Sequence, residues 1–179
     1  MENQFLQLAY LQDGNTTQQA AFDCLQQHQV FQVLADFQPI LVGTIPIQID
    51  IPGSDLDIIC STSDTAAFVD LMWQQFASMP GFQVKEFVLR GQHSVVANFL
   101  LNGMPVEIFA QNTPTTLQFA YIHMLVEDAI IREKGEDFRQ SVINLKKAGL
   151  KTEPAFAELL GLNGDPYEAL YELYFASYQ

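Results

Sequence analysis

Three short stretches carry residues able to do chemistry: Val42-Gly43-Thr44, then Ser54-Asp55-Leu56-Asp57-Ile58, then Val106-Glu107-Ile108. In an extended segment residues two apart share a face, so the carboxylates of Asp55 and Asp57 leave the same side. Like charges side by side on one face are destabilising unless something cationic lies between them. A divalent ion meets that need, since Mg²⁺ favours one or two carboxylates together with substrate phosphate oxygens. Glu107 is flanked by apolar neighbours and points away from the apolar face of its own strand. If that strand lies beside the aspartate strand, three carboxylates converge. Such a set can hold two metal ions ~3.5–4 Å apart for phosphoryl transfer.

The elements that must position these residues follow from periodicity. Ala20, Ala21, Leu25, Val30, Phe31 and Leu34 recur at helical spacing over 16–37, with Thr16 or Thr17 as the expected N-cap. Pro39–Val42, ended by Gly43, reads as a short buried strand. Ile45–Ile51 alternates its isoleucines onto one face of an extended segment. After the Pro52-Gly53 turn, Asp55–Cys60 reads as a strand whose apolar end is fully buried. Residues 64–79 form an amphipathic helix, with Trp73, Phe68 and Phe76 as core. Strands are expected at 82–89, 94–101 and 104–110, joined by Arg90–His93 and by Asn102-Gly103, a two-residue hairpin signal. Helices are expected at 115–133, 136–148, 154–161 and 166–177, the last two opening on Pro154 and Pro166. The fold class is therefore α+β: a mixed sheet flanked by helices over residues 1–113, then a helical segment over 114–179 packed on it.

The Gly43-Thr44 pair, the ten residues after it, the Asp-x-Asp strand and the later apolar-acid-apolar strand resemble the pattern of the polymerase-β-like nucleotidyltransferase superfamily. The chain also resembles one uncharacterised bacterial family within that superfamily over nearly its whole length. That likeness rests on Val42–Ile47, Gly53–Asp57, Glu107–Phe109, Ala120–Met124 with Glu127, Gly149–Phe156 and Gly164–Tyr167. The resemblance implies a nucleotidyltransferase-like fold in which Asp55 and Asp57 bind both metals. It implies that Glu107 is the third acid, binding one metal and helping to deprotonate the attacking hydroxyl. It also makes Gly43 and Thr44 contacts to the β- and γ-phosphates of a nucleoside triphosphate, with Ser54 as the small polar residue before the first aspartate.

Residues 45–54 contain no Arg or Lys, so cations for a triphosphate must come from elsewhere. All eight basic residues lie at or after Lys85, and six of them fall in 130–151 against three acids. Lys146 and Lys151 are the expected phosphate contacts, with a solvated helix face as the other reading of that stretch. His123 and Glu127, four apart on a helix, read either as a metal or acid/base pair or as a hydrogen bond that packs the helices on the sheet. Tyr121 either stacks on a base or fills an interface.

The rival Asp-x-Asp chemistries do not fit. Haloacid-dehalogenase-like phosphatases and metal-dependent glycosyltransferases place the pair at the end of an apolar strand, whereas here the apolar run Ile58-Ile59-Cys60 follows it. A calcium loop would need oxygen ligands at those same positions. The chain of 179 residues carries a formal charge of −13, which disfavours polynucleotides and anionic membranes as partners. Cys24 and Cys60 are too few for a disulfide framework. Neither a signal peptide nor a membrane span is legible, and the expectation is a cytoplasmic protein.

The expected function is Mg²⁺-dependent transfer of a nucleoside monophosphate from a nucleoside triphosphate to a hydroxyl of a small molecule or protein. The other reading is a catalytically degenerate domain that binds a nucleotide or a protein partner.

Overall fold

A computed structural model describes residues 2–176, and none of their helices is long and apolar enough to cross a membrane. Five strands form one sheet: β1 (Ile40–Val42), β2 (Leu56–Ser61), β3 (Gln83–Leu89), β4 (Gln92–Leu101) and β5 (Met104–Gln111). Their spatial order is β1-β2-β5-β4-β3, with β2 and β5 parallel and every other pair antiparallel. The parallel pairing needs a crossover connection, and α3 (Thr65–Phe76) begins it before the β3–β4 hairpin intervenes.

Side chains alternate across this sheet and so separate two cores. Leu56, Ile58 and Cys60 of β2, with Val106, Ile108 and Ala110 of β5, pack against α1 (Thr16–Gln27) and α3 through Leu25, Phe68 and Met72. On the other side, Ile40, Val42 and Ile59 pack against a second set of helices: α4 (Phe119–Lys134), α5 (Glu136–Lys147), α6 (Thr152–Leu160) and α7 (Pro166–Ala176). Helix α4 is buried over seven consecutive residues, 121–127, because the sheet and the other helices surround it. Its polar residues in that run, His123 and Glu127, therefore lie inside the protein.

Some expected elements take another form. The segment 16–37 is not one helix. It stops at Gln27, Gln29 takes a left-handed conformation (φ 52°), and a four-residue α2 (Val30–Val33) follows. The cap is Asn15 rather than a threonine: its side chain accepts from Gln18 N at 2.9 Å, and Gln18 Oε1 accepts from Asn15 N at 3.0 Å. Ile45–Ile51 is not extended. Its isoleucines alternate because Ile45 enters the first core while Ile47 and Ile49 enter the second. The segment turns on itself, and the buried Gln18 Nε2 donates to the carbonyls of Ile45 and Pro46, both at 3.0 Å.

Trp73 is 56% exposed, packing edge-on against Phe82 rather than entering the core. Helix α6 begins at Thr152, which places Pro154 inside its first turn, whereas Pro166 opens α7 as expected. Asp165 caps α7 through Oδ1, which accepts from Tyr167 N at 2.9 Å and Glu168 N at 3.2 Å. Residue 177, at the expected end of that helix, lies outside the described residues.

Candidate active site

The β2–β5 pairing places Asp57 directly beside Glu107 in parallel register, with Val42 opposite Asp57 on β1. Both acids belong to the sheet face turned toward α4. They open into a cleft of about 520 Å³, within the range of small-molecule sites. The cleft runs from Gly43, Thr44, Asp57 and Glu107 past Ile59 and Phe109 to Gln111 and Gln118. Its helical wall carries His123, Glu127, Glu153 and Tyr167, and Arg90 reaches it from the β3–β4 turn.

Gly43 is required where it stands. Its φ is +80°, and a Cβ there would collide with the carboxylate of Asp57. Thr44 Oγ1 donates to Ser54 Oγ at 3.4 Å, and Ser54 Oγ accepts from Ile51 N at 3.0 Å. Thr44 lines the cleft, while Ser54 closes the loop outside it.

Asp57 is raised to about 8, first by burial and then by the negative charges of Asp55 and Glu107. Glu107 is also raised, by burial and by Asp55, with Lys151 opposing. Asp55, which directly precedes β2, thus lies close enough to charge both partners, although it is not part of the cleft lining. Among the described residues, no three His, Cys, Asp or Glu side chains stand close enough together to hold a metal ion as they are. The donor chemistry nevertheless suits Mg²⁺. It is all oxygen, it is shared by adjacent strands, and its mutual repulsion is what a divalent cation would remove.

Two of the six basic residues of 130–151 serve the loop behind the site. Lys146 is 7% exposed, donates from Nζ to Ile49 O at 2.8 Å, and is absent from the cleft lining. Burial lowers its pKa, while Glu127, Asp50, Glu153 and Asp57 oppose that shift. Arg139 Nη1 donates to Gln48 Oε1 at 3.0 Å. Two cations thus brace the far side of the 45–50 loop. Lys151 is exposed and also stands outside the lining, though its charge reaches Glu107. Tyr121 is buried in the second core and does not face the cleft.

His123 Nε2 lies 2.9 Å from the Tyr167 carbonyl, and its Nδ1 lies 3.6 Å from Glu153 Oε1. A carbonyl only accepts, so Nε2 is the donor of this bond. Glu127, one helical turn on, is 3% exposed. Burial raises it well above the usual carboxylate range, Glu153 adds to the shift and Lys146 opposes it. His123 and Glu127 therefore share the wall, but the hydrogen bond that His123 makes is to Tyr167.

Arg90 and Glu153 join the site without a local sequence signal. The Arg90 guanidinium lies 3.8 Å over the Phe119 ring and pairs with Glu168 at 2.8 Å, while Phe119 stacks on Tyr171 at 4.1 Å. This layering ties the β3–β4 turn to α4 and α7. Glu153 reads in sequence as part of a helix start, and only the packing of α6 turns it into the cleft.

A family model described as "Domain of unknown function (DUF4269)" matches residues 23–173. No curated protein matches the sequence. Among solved structures, the fold is similar to a mutant of the Cid1 poly(U) polymerase bound to MgATP (TM-score 0.52, 14% identity, 85% of this chain and 46% of that one). It is similar to the same polymerase bound to MgGTP (TM-score 0.50, 13% identity, 72% and 40%). It is also similar to the polymerase core of TRAMP, an RNA surveillance complex (TM-score 0.50, 12% identity, 91% and 50%). The chain thus spans half or less of each of these structures. At such identities the likeness speaks for the fold alone, a nucleotidyltransferase-like one.

Proposed function

The chain belongs to the DUF4269 family, and we propose that it transfers a nucleoside monophosphate from a nucleoside triphosphate to a hydroxyl of a small molecule or protein. The nucleotidyltransferase-like fold supports nucleotidyl transfer as the kind of reaction. The observation that carries the reading is the register of Asp57 beside Glu107 at the mouth of a cleft, with Gly43 leaving room for the Asp57 carboxylate.

In this reading the acceptor oxygen attacks the α-phosphorus and forms a new P–O bond. The bond from that phosphorus to the bridging oxygen of the β-phosphate breaks, and pyrophosphate leaves. The hydroxyl proton passes to a carboxylate oxygen, for which Glu107 is the assigned acceptor. Asp55, Asp57 and Glu107 would hold Mg²⁺, which supplies neutralisation of the charge that builds on the phosphoryl oxygens. Thr44 Oγ1 and the backbone at Gly43 would meet the triphosphate. Lys151 would contribute long-range attraction, and Lys146 would act by holding the loop at Ile49.

A second reading is a catalytically silent domain that binds a nucleotide or a protein partner. That no three His, Cys, Asp or Glu side chains among the described residues stand close enough to hold a metal ion favours it. Calorimetric titration of MgATP and MgGTP into the wild type and an Asp55→Asn/Asp57→Asn variant tests the choice. Binding that needs both Mg²⁺ and the two aspartates supports transfer. Binding unchanged by the double substitution refutes it in favour of the silent domain.

A further inference from the structure

The helical wall of the cleft presents acceptors without donors. Glu127 is 3% exposed and lines the cleft, yet it has no hydrogen bond or ion pair among the described residues. Glu153 lines the same wall from α6, facing His123 Nδ1 at 3.6 Å. His123 Nε2 donates to Tyr167 O, and Glu153 Oε1 lies too far from Nδ1 for a hydrogen bond. Among the described residues, the carboxyl groups of Glu127 and Glu153 therefore have no hydrogen-bond donor.

The nearby cations do not supply one. Lys146 is spent on Ile49 O outside the cleft, and its charge is shared among Glu127, Asp50, Glu153 and Asp57. Arg90 lines the cleft but is committed to Glu168 and to the face of Phe119. Two Mg²⁺ ions and a nucleoside triphosphate would nearly cancel each other in charge, so they would bring this wall no net positive charge. A buried carboxylate without a partner is costly. A group that brings both positive charge and hydrogen-bond donors removes that cost, and an ammonium does both.

We propose that the Glu127–Glu153 wall binds an ammonium group of the acceptor, so that the substrate is an amine-bearing alcohol. This assignment rests on the nucleotidyl-transfer reading for the word acceptor, while the amine site itself stands on the wall. Carboxylate or phosphate near the hydroxyl offers this wall no hydrogen-bond donor, so acceptors bearing them should bind more weakly.

Three probes share a three-carbon skeleton with a hydroxyl and differ in charge: 1,3-diaminopropan-2-ol, glycerol and glycerate. Their affinities for the full chain are read by ligand-observed NMR at pH 7.5 with Mg²⁺ and the α,β-methylene analogues of ATP and GTP. The diamine should bind at least about tenfold more tightly than glycerol, as expected for hydrogen bonds to charged partners, and glycerate should bind weakest. Glu127→Gln and, separately, Glu153→Gln should each weaken the diamine about tenfold, and either folded variant suffices. Equal affinity for diamine and glycerol, or a diamine affinity untouched by the substitutions, overturns the proposal even where the nucleotide analogues bind. If the diamine is selected but neither nucleotide analogue binds, the amine site stands and the transfer reading falls.

Discussion

Replacing Asp57 by Asn should make the metal-free protein more stable, although it removes a residue assigned to the reaction. In the folded chain the Asp57 carboxyl is held at about 8, against an ordinary value of 3.8. At pH 7 the unfolded chain is ionised and the folded chain keeps its proton. The unfolded state therefore gains at most about 4 kcal/mol, from roughly three pH units at about 1.4 kcal/mol each. Asp57 is only partly buried, and water relaxes around it, so about 1–3 kcal/mol is the expected gain for Asp57→Asn. For a chain of this size that corresponds to a rise in Tm of roughly 3–10 °C.

The pH dependence has a fixed sign. A carboxyl raised on folding binds more protons in the folded state than in the unfolded state between about pH 4 and pH 8. Its contribution to stability is therefore present at low pH and is lost as pH rises through that window. Urea unfolding in EDTA at pH 5.5, 6.5, 7.5 and 8.5 should show wild-type stability falling more steeply than that of the variant. Mg²⁺ should narrow the gap by stabilising the wild type alone. An Asp57→Asn protein that is less stable at pH 7.5, or one whose pH slope parallels the wild type, would refute the electrostatic account of this site.

Three further outcomes follow from the same geometry. Gly43→Ala places a methyl group against the Asp57 carboxylate at φ +80°, so it should cost about 1–2 kcal/mol in strain and abolish Mg²⁺-dependent nucleotide binding, read by unfolding and calorimetry. Lys146→Met leaves the buried Ile49 O without its donor and removes the positive charge that opposes the shift of Glu127, which should destabilise the protein by about 1–3 kcal/mol in chemical denaturation. Arg90→Ala loses a half-exposed ion pair with Glu168 and a cation–π contact with Phe119, so global stability should move by about 1 kcal/mol or less. Faster amide exchange in α7 than in α1 should nevertheless report the loss of that tie.

Much of the fold was legible because its signals are local. Asn102-Gly103 marks the turn between β4 and β5, and Asp165-Pro166 marks the start of α7. The apolar run Ile58-Ile59-Cys60 marked β2, and the Asn102-Gly103 turn led into β5. A period of two, which follows from strand geometry itself, was the rule applied to the isoleucines of 45–51. The same rule misled at Ile45–Ile51, where alternation arises because a turning loop feeds two cores. Helical spacing misled at Trp73, because a repeat among aromatics does not reveal that one of them lies outside the buried stripe. The break at Gln29 was hidden because left-handed glutamine carries no compositional mark.

For the candidate site, the sequence by itself determined which atoms are available: three carboxylates in Asp-x-Asp and apolar-acid-apolar settings, a glycine before them, and a chain half without Lys or Arg. These are matters of residue type and short spacing, and chemistry alone restricts what they can bind. Only the tertiary structure decided their pairing. Asp57 meets Glu107 because β2 and β5 are parallel neighbours across an intervening helix and hairpin, a register no local pattern encodes. It turned Lys146 and Arg139 to the back of the loop, because the carbonyl of Ile49 and the amide oxygen of Gln48 need donors there. It also set Glu127 and Glu153 facing the cleft from two different helices. Burial and charge are properties of the assembled interior, which is why the most perturbed acids of this chain are found in its packing.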